Sequence, residues 1–132
     1  MRITVDTNVL VRAVLQDDTK QSATAANVLR DAAKVAVPLP CLCEMAWVLL
    51  RGAKLSRDDV ARAINALVAS DKVVTNRPAV EAGLAVLRNG GDFADGIIAF
   101  EGRQLGGETF VSFDKQAISL LHAEGHAVRL LT

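Results

Sequence analysis

Apolar and polar residues fall along the chain in short blocks whose spacing switches repeatedly between strand and helix. The first block, Ile3-Thr4-Val5, reads as a strand that delivers Asp6 to its carboxyl end, with Thr7 and Asn8 at the turn into a helix. Thr and Asn can satisfy free backbone N–H groups at such a turn and hold a carboxylate in one rotamer. Val9, Leu10, Ala13 and Val14 suit a short helix ended by Gln16-Asp17-Asp18, and Ala23, Ala26, Val28, Leu29 and Ala32 predict a second over residues 19–34. Val35-Ala36-Val37 reads as a strand closed by Pro38 and Pro40, which cannot continue a ladder. Cys41 to Arg51 then predicts a helix ending at Gly52, with Glu44 in its first turn.

Ser56 offers a cap for the next helix, which runs to Ser70 with Asp58 and Asp59 in its first turn, where carboxylates favour the helix dipole. Val73-Val74-Thr75 is a further short strand. Pro78 suits the first turn of a helix that stops at Asn89-Gly90-Gly91. Asp92 or Phe93 opens another, to Gln104, with Asp95 in its first turn and Gly106-Gly107 as its stop. Residues 109–113 form a strand delivering Asp114, Lys115 to His122 is helical, Gly125 stops it, and residues 128–131 are the last strand. Strands alternating with helices predict an α/β fold, a mostly parallel central sheet flanked by helices in three layers. Without repeats or a composition break, 1–132 reads as a single domain.

Composition changes this picture little. The chain is 51% hydrophobic and 4% aromatic, so aliphatic side chains build the core. Fifteen basic and fifteen acidic residues cancel, which argues against an indiscriminate polyanion binder and makes any nucleic-acid contact local. No apolar run is long enough to cross a bilayer, and the N-terminus, with Asp6 and Arg12, lacks a signal-peptide layout. Cys41 and Cys43 are too close for an ordinary disulfide framework and read as reduced thiols, so the expected location is cytoplasmic with no membrane association.

The candidate chemistry lies in four acids from four segments: Asp6, Glu44, Asp95 and Asp114. Asp6 and Asp114 each follow a strand and precede a helix, the edge where α/β sheets place ligands. Asp92, three residues before Asp95, can share its face. Two carboxylates about 5 Å apart repel by roughly 3 kcal/mol at an effective dielectric near 20, so the cluster must hold protons or a hard divalent ion. Oxygen-only ligation suits Mg²⁺ or Mn²⁺ and serves phosphodiester hydrolysis, where the metal lowers the pKa of a water and neutralises charge on the phosphorane-like state. A lone Asp at a helix start is more often a cap or turn residue. That reading is accepted for Asp17, Asp18, Asp58, Asp59 and Asp71.

Val5-Asp6-Thr7-Asn8, Glu44 within Cys43-Glu44-Met45-Ala46-Trp47, Asp92-Phe93-Ala94-Asp95-Gly96-Ile97-Ile98-Ala99 and Ser112-Phe113-Asp114-Lys115 together resemble the PIN domain, specifically the VapC-type toxin ribonuclease of toxin–antitoxin pairs. Each motif is short, but their order, spacing and the chain length fit. The resemblance implies that Asp6, Glu44, Asp95 and Asp114 are an acidic quartet holding Mg²⁺ or Mn²⁺. Asn8 and Ser112 match positions where polar side chains orient the acids, Thr7 completes the first motif, and Asp92 matches an acid that only some members carry. Gly96 departs from a frequent Ala; Gly there weakens the helix slightly and leaves the acid in place. The implied partners are an RNA substrate and a cognate VapB-type antitoxin that brings a basic side chain to the acids. A homodimer within a larger toxin–antitoxin complex is also implied, with DNA bound only through the antitoxin.

Two other functions compete. A phosphatase of the haloacid dehalogenase type also begins with a strand ending in Asp, but it wants a second Asp where this chain has Asn8. A non-catalytic binding module would use the acids as caps and for solubility. Of the remaining residues, Lys115 and Arg12 are the candidates for RNA phosphates, while Arg51 and Arg103 read as solvated surface. Cys41, Cys43, His122 and His126 have poor zinc spacing and read as small buried thiols and surface histidines. Trp47, the only Trp, reads as a core or interface residue rather than a base-stacking one.

Overall fold

The structure, a computed structural model, describes residues 1–132 and divides into two compact units, Met1–Asn76 and Arg77–Thr132. In the first unit, strands β1 (Arg2–Thr4), β2 (Lys34–Ala36) and β3 (Val73–Val74) form a parallel sheet in the order β1-β2-β3. Arg2 pairs with Lys34 and Val35 with Val73. Helices α1 (Thr7–Leu15) and α2 (Thr19–Asp31) connect β1 to β2. Helix α3 (Leu39–Trp47), a π-helical turn (Val48–Gly52) and α4 (Arg57–Val68) connect β2 to β3. Parallel strands require such crossovers. Val5, Leu10, Val35, Val37, Leu42, Met45, Leu49, Val60 and Ile64 are all buried and make the aliphatic core of this unit.

Local chemistry explains the helix starts. The Asp18 carboxylate accepts from the Gln21 N–H at 3.0 Å and caps α2, and the Ser56 hydroxyl accepts from the Asp59 N–H at 3.1 Å and caps α4. Three expectations are corrected. Helix α2 buries Ser22 and Ala25, with Ala32 just beyond its end, while Ala23, Ala26 and Val28 are exposed. Alanines occur all round α2 and so mark no single face. Pro40 does not close the strand; it sits in the first turn of α3, where its missing N–H costs nothing. The helix therefore begins at Leu39, and Glu44 lies in its second turn. Trp47 is 60% exposed, which rules out the core position.

The second unit holds α5 (Arg77–Arg88), α6 (Phe93–Gln104), β4 (Phe110–Ser112), α7 (Lys115–Ala123) and β5 (Val128–Leu130). Strands β4 and β5 pair in parallel, Phe110 with Val128 and Ser112 with Leu130. Val86, Ala99 and Leu121 form a buried cluster against which Phe110, Leu120 and Val128 pack. Helix α5 stops where expected: Gly90 adopts φ +97°, and the Gly91 N–H reaches back to the Val86 carbonyl at 2.9 Å. The α/β class, with parallel strands flanked by helices, is as read from the sequence. No helix is long and apolar enough to cross a membrane.

Candidate active site

In the first unit Asp6 follows β1 and is itself the cap of α1: its Oδ1 accepts from the Val9 N–H at 3.3 Å. The capping role expected of Thr7 and Asn8 therefore belongs to Asp6, because those two are already inside the helix, Thr7 buried and Asn8 exposed. Capping engages one carboxylate oxygen and leaves the other available. Asp6, Asn8, Arg12 and Lys20 line a groove of about 690 Å³ whose other walls include Val9, Thr24, Ala25 and Val28. Arg12 pairs with Asp17 at 3.0 Å, and Asp59 with Arg62 at 3.4 Å; with Asp18 a cap, these three acids have the structural roles expected of them.

Glu44 is exposed on α3. One turn earlier, the Cys41 thiol donates to the Val5 carbonyl at 3.5 Å, linking α3 to the backbone just before Asp6. Neither Cys41 nor Cys43 is in a disulfide, and both are half-buried rather than fully buried.

The second unit gathers three acids. Asp114 follows β4 and caps α7, its Oδ1 accepting from the Gln116 and Ala117 N–H groups at 2.9 and 3.1 Å. The Ser112 hydroxyl accepts from the Asp114 N–H at 2.9 Å, so Ser112 fixes the backbone of Asp114 rather than its carboxylate. Gln116 Nε2 donates to the Gly90 carbonyl at 3.0 Å, fastening the start of α7 to the α5–α6 turn. Asp92 caps α6 through Oδ1, which accepts from the Ala94 N–H at 3.0 Å. Asp95 is half-buried in the first turn of α6. Burial raises its pKa above the ordinary carboxylate value, and the charges of Asp92 and then Asp114 raise it further. Lys115 is exposed beside Asp114. His126, half-buried, has its pKa lowered by burial and by Arg103, with Glu124 opposing.

Reading the sequence missed what two residues do in this arrangement. Gly96, next to Asp95, is buried, and a side-chain carbon there would overlap the Ala82 carbonyl of α5. It is thus a packing residue as well as a weak helix former. Gln116 was missed because nothing local marks a contact with Gly90.

As placed, no group of three or more His, Cys, Asp and Glu side chains has metal-holding spacing. The donor chemistry nonetheless fits a hard divalent ion. All the candidates are carboxylates, and Asp6, Asp92 and Asp114 each direct one named oxygen to a helix N–H and keep the second for another ligand.

The profile of one protein family, described as PIN domain, matches residues 3–121. No curated protein matches the chain. PIN domains are generally metal-dependent nucleases that typically bind divalent metals. The matched stretch begins before Asp6, ends beyond Asp114 and takes in most of both units, and by that match the chain belongs to the PIN-domain family.

Proposed function

We propose that the chain is a Mg²⁺- or Mn²⁺-dependent endoribonuclease, the toxin of a VapBC-type module, acting as a single PIN-like domain over residues 1–132. The observation that carries this reading is Asp95, a half-buried carboxylate crowded by Asp92 and Asp114 at the starts of α6 and α7. Gathering like charges is costly unless a cation or proton offsets them. Arg12 pairs with Asp17, Arg30 with Asp31 and Arg62 with Asp59, all within the first unit.

In this reading Asp6, Glu44, Asp95 and Asp114 hold the ion, which supplies positive charge and Lewis acidity at the phosphodiester. Asp6 and Asp114 are held in single rotamers by their helix N–H bonds, and Ser112 steadies Asp114 through its backbone. Asn8 borders the same groove as Asp6, where Arg12 and Lys20 offer charge to RNA phosphates, as Lys115 does beside Asp114. A cognate VapB-type antitoxin blocks the acids with a basic side chain. The toxin forms a homodimer within the larger complex, works in the cytoplasm and meets DNA only through the antitoxin.

The test is cleavage of RNA by purified protein with Mg²⁺, with Mn²⁺ and with chelator, alongside expression of the chain alone in growing cells. Metal-dependent cleavage and growth arrest, both lost in Asp6→Asn, support the reading. If loaded protein leaves RNA intact and cells grow normally, the proposal fails. One observation favours a non-catalytic binding module instead: Asp6, Asp92 and Asp114 each have a capping task that accounts for an acid at that position. That alternative requires that divalent ions leave the protein unchanged.

A further inference from the structure

Helix α3 and the π turn after it sort their residues sharply. Leu42, Met45, Ala46 and Leu49 are buried, while Glu44, Trp47 and Arg51 are exposed. Glu44 and Trp47 are three residues apart, which on a helix makes them neighbours one turn from each other. Trp47 is the largest apolar side chain in the protein, yet 60% of it faces solvent while Leu and Met fill the core. Immediately after it the helix widens: the Ala53 N–H bonds to the Val48 carbonyl at 2.9 Å, five residues back. Such π turns are frequent at functional positions.

The surroundings decide what this indole suits. A protein interface offers a contiguous apolar patch with depleted charge. Trp47 has no such company on its own element. The other exposed large apolar residues of the first unit are Met1, Val28 and Val74, none of them on α3 or its π turn. Its exposed helical neighbours are Glu44 on one side and Arg51 on the other. An aromatic face next to a cation is the arrangement by which proteins hold single-stranded nucleic acid, the base stacked and the phosphate paired.

We propose that Trp47 is a stacking platform for one unpaired RNA base, with Arg51 placed for the adjoining phosphate, one helical turn from Glu44. This inference rests on the nuclease reading only for the nature of the ligand. A duplex, whose bases are stacked on each other, offers no face to the indole. The site therefore selects single-stranded or looped RNA.

Trp47 is the only Trp and the chain has no Tyr, so the intrinsic fluorescence of the protein reports this residue alone. The experiment uses full-length protein in chelator, which prevents cleavage, titrated with a mixed-sequence RNA of about ten nucleotides as a single strand and as a duplex. The single strand quenches Trp47 emission and the duplex does not. With the labelled single strand, Trp47→Ala binds about tenfold more weakly, Trp47→Phe recovers part of the loss, and Arg51→Gln lowers the salt dependence by about one counterion.

Equal binding by wild type and Trp47→Ala overturns the proposal. So does no binding of the single strand by wild type, or emission that shifts with protein concentration alone, which marks a self-association surface. Protein that cuts RNA but is indifferent to Trp47→Ala sinks this inference and keeps the nuclease reading. Quenching by single strands without cleavage under any metal does the reverse.

Discussion

Gly96 of α6 backs directly onto Gly83 of α5: a side-chain carbon on Gly96 would lie 2.7 Å from the Gly83 Cα. The two backbones meet there, and the meeting sets the depth of Asp95, the residue before Gly96. Helix propensity favours Ala over Gly by about 1 kcal/mol, whereas forcing a methyl into a close-packed contact costs roughly 1–3 kcal/mol. Backbone atoms cannot swing aside as a side-chain tip can, so the clash wins. Gly96→Ala should lower unfolding free energy in urea by up to about 2 kcal/mol. A variant as stable as wild type would mean that α5 and α6 part freely.

Asp114 holds two N–H groups of α7, and this separates two ways of removing its charge. Asn keeps a capping oxygen, while Ala keeps none and should cost about 1 kcal/mol. Both Asp114→Asn and Asp114→Ala are expected to abolish metal-dependent RNA cleavage, but only Asp114→Ala should melt clearly lower. Activity surviving in Asp114→Asn would remove Asp114 from the proposed quartet.

Asp95 makes stability depend on pH in an unusual sense. Its pKa is raised above the ordinary 3.8, so the folded protein holds this proton more readily than the unfolded chain. The difference is absent below the ordinary value. Stability then falls as pH rises through the window between 3.8 and the raised value, and the penalty is fully present above it. Metal-free Asp95→Asn should therefore melt higher than wild type at neutral pH. The gap between the two should close as the pH is lowered through that window. A gap that stays constant from pH 7 to below the ordinary value would refute a charge-based penalty.

Divalent metal should reverse the ranking. A ligand that binds only the folded state adds RT ln(1 + [L]/Kd), about 2.7 kcal/mol at a hundredfold excess over Kd. Millimolar Mg²⁺ or Mn²⁺ should raise the melting temperature of wild type and raise that of Asp6→Asn or Asp95→Asn much less. Equal shifts in all three would point to nonspecific screening and favour the binding-module reading.

The sequence was most legible where one residue does a local job. Gly90 and Gly91 stop α5, and Ser56 starts α4, because caps and positive-φ turns need particular residue types. The places of Asp6, Asp95 and Asp114 at strand ends and helix starts were legible for the same reason. What failed depended on partners far along the chain. The inward face of α2 was misread because Ala is indifferent to burial, and only packing selects Ser22 and Ala25. The π turn after Trp47 is a change in hydrogen-bond spacing that leaves no trace in composition. Trp47 reads as a core or interface residue on the general behaviour of a bulky apolar side chain, and its solvent-facing position removes only the core alternative.

The pairing of β4 with β5 bears on the order in which the chain matures during synthesis. Ser112, whose hydroxyl steadies Asp114, also accepts at its carbonyl from the Leu131 N–H at 2.8 Å, and β4 has β5 as its ladder partner in that unit. Asp114 thus precedes in the chain the strand that anchors its turn. A nascent chain has every acid of the proposed quartet in place as sequence while β4 still lacks its partner. On the proposed reading, the turn that carries Asp114 gains its full anchorage only once residues 128–131 have docked.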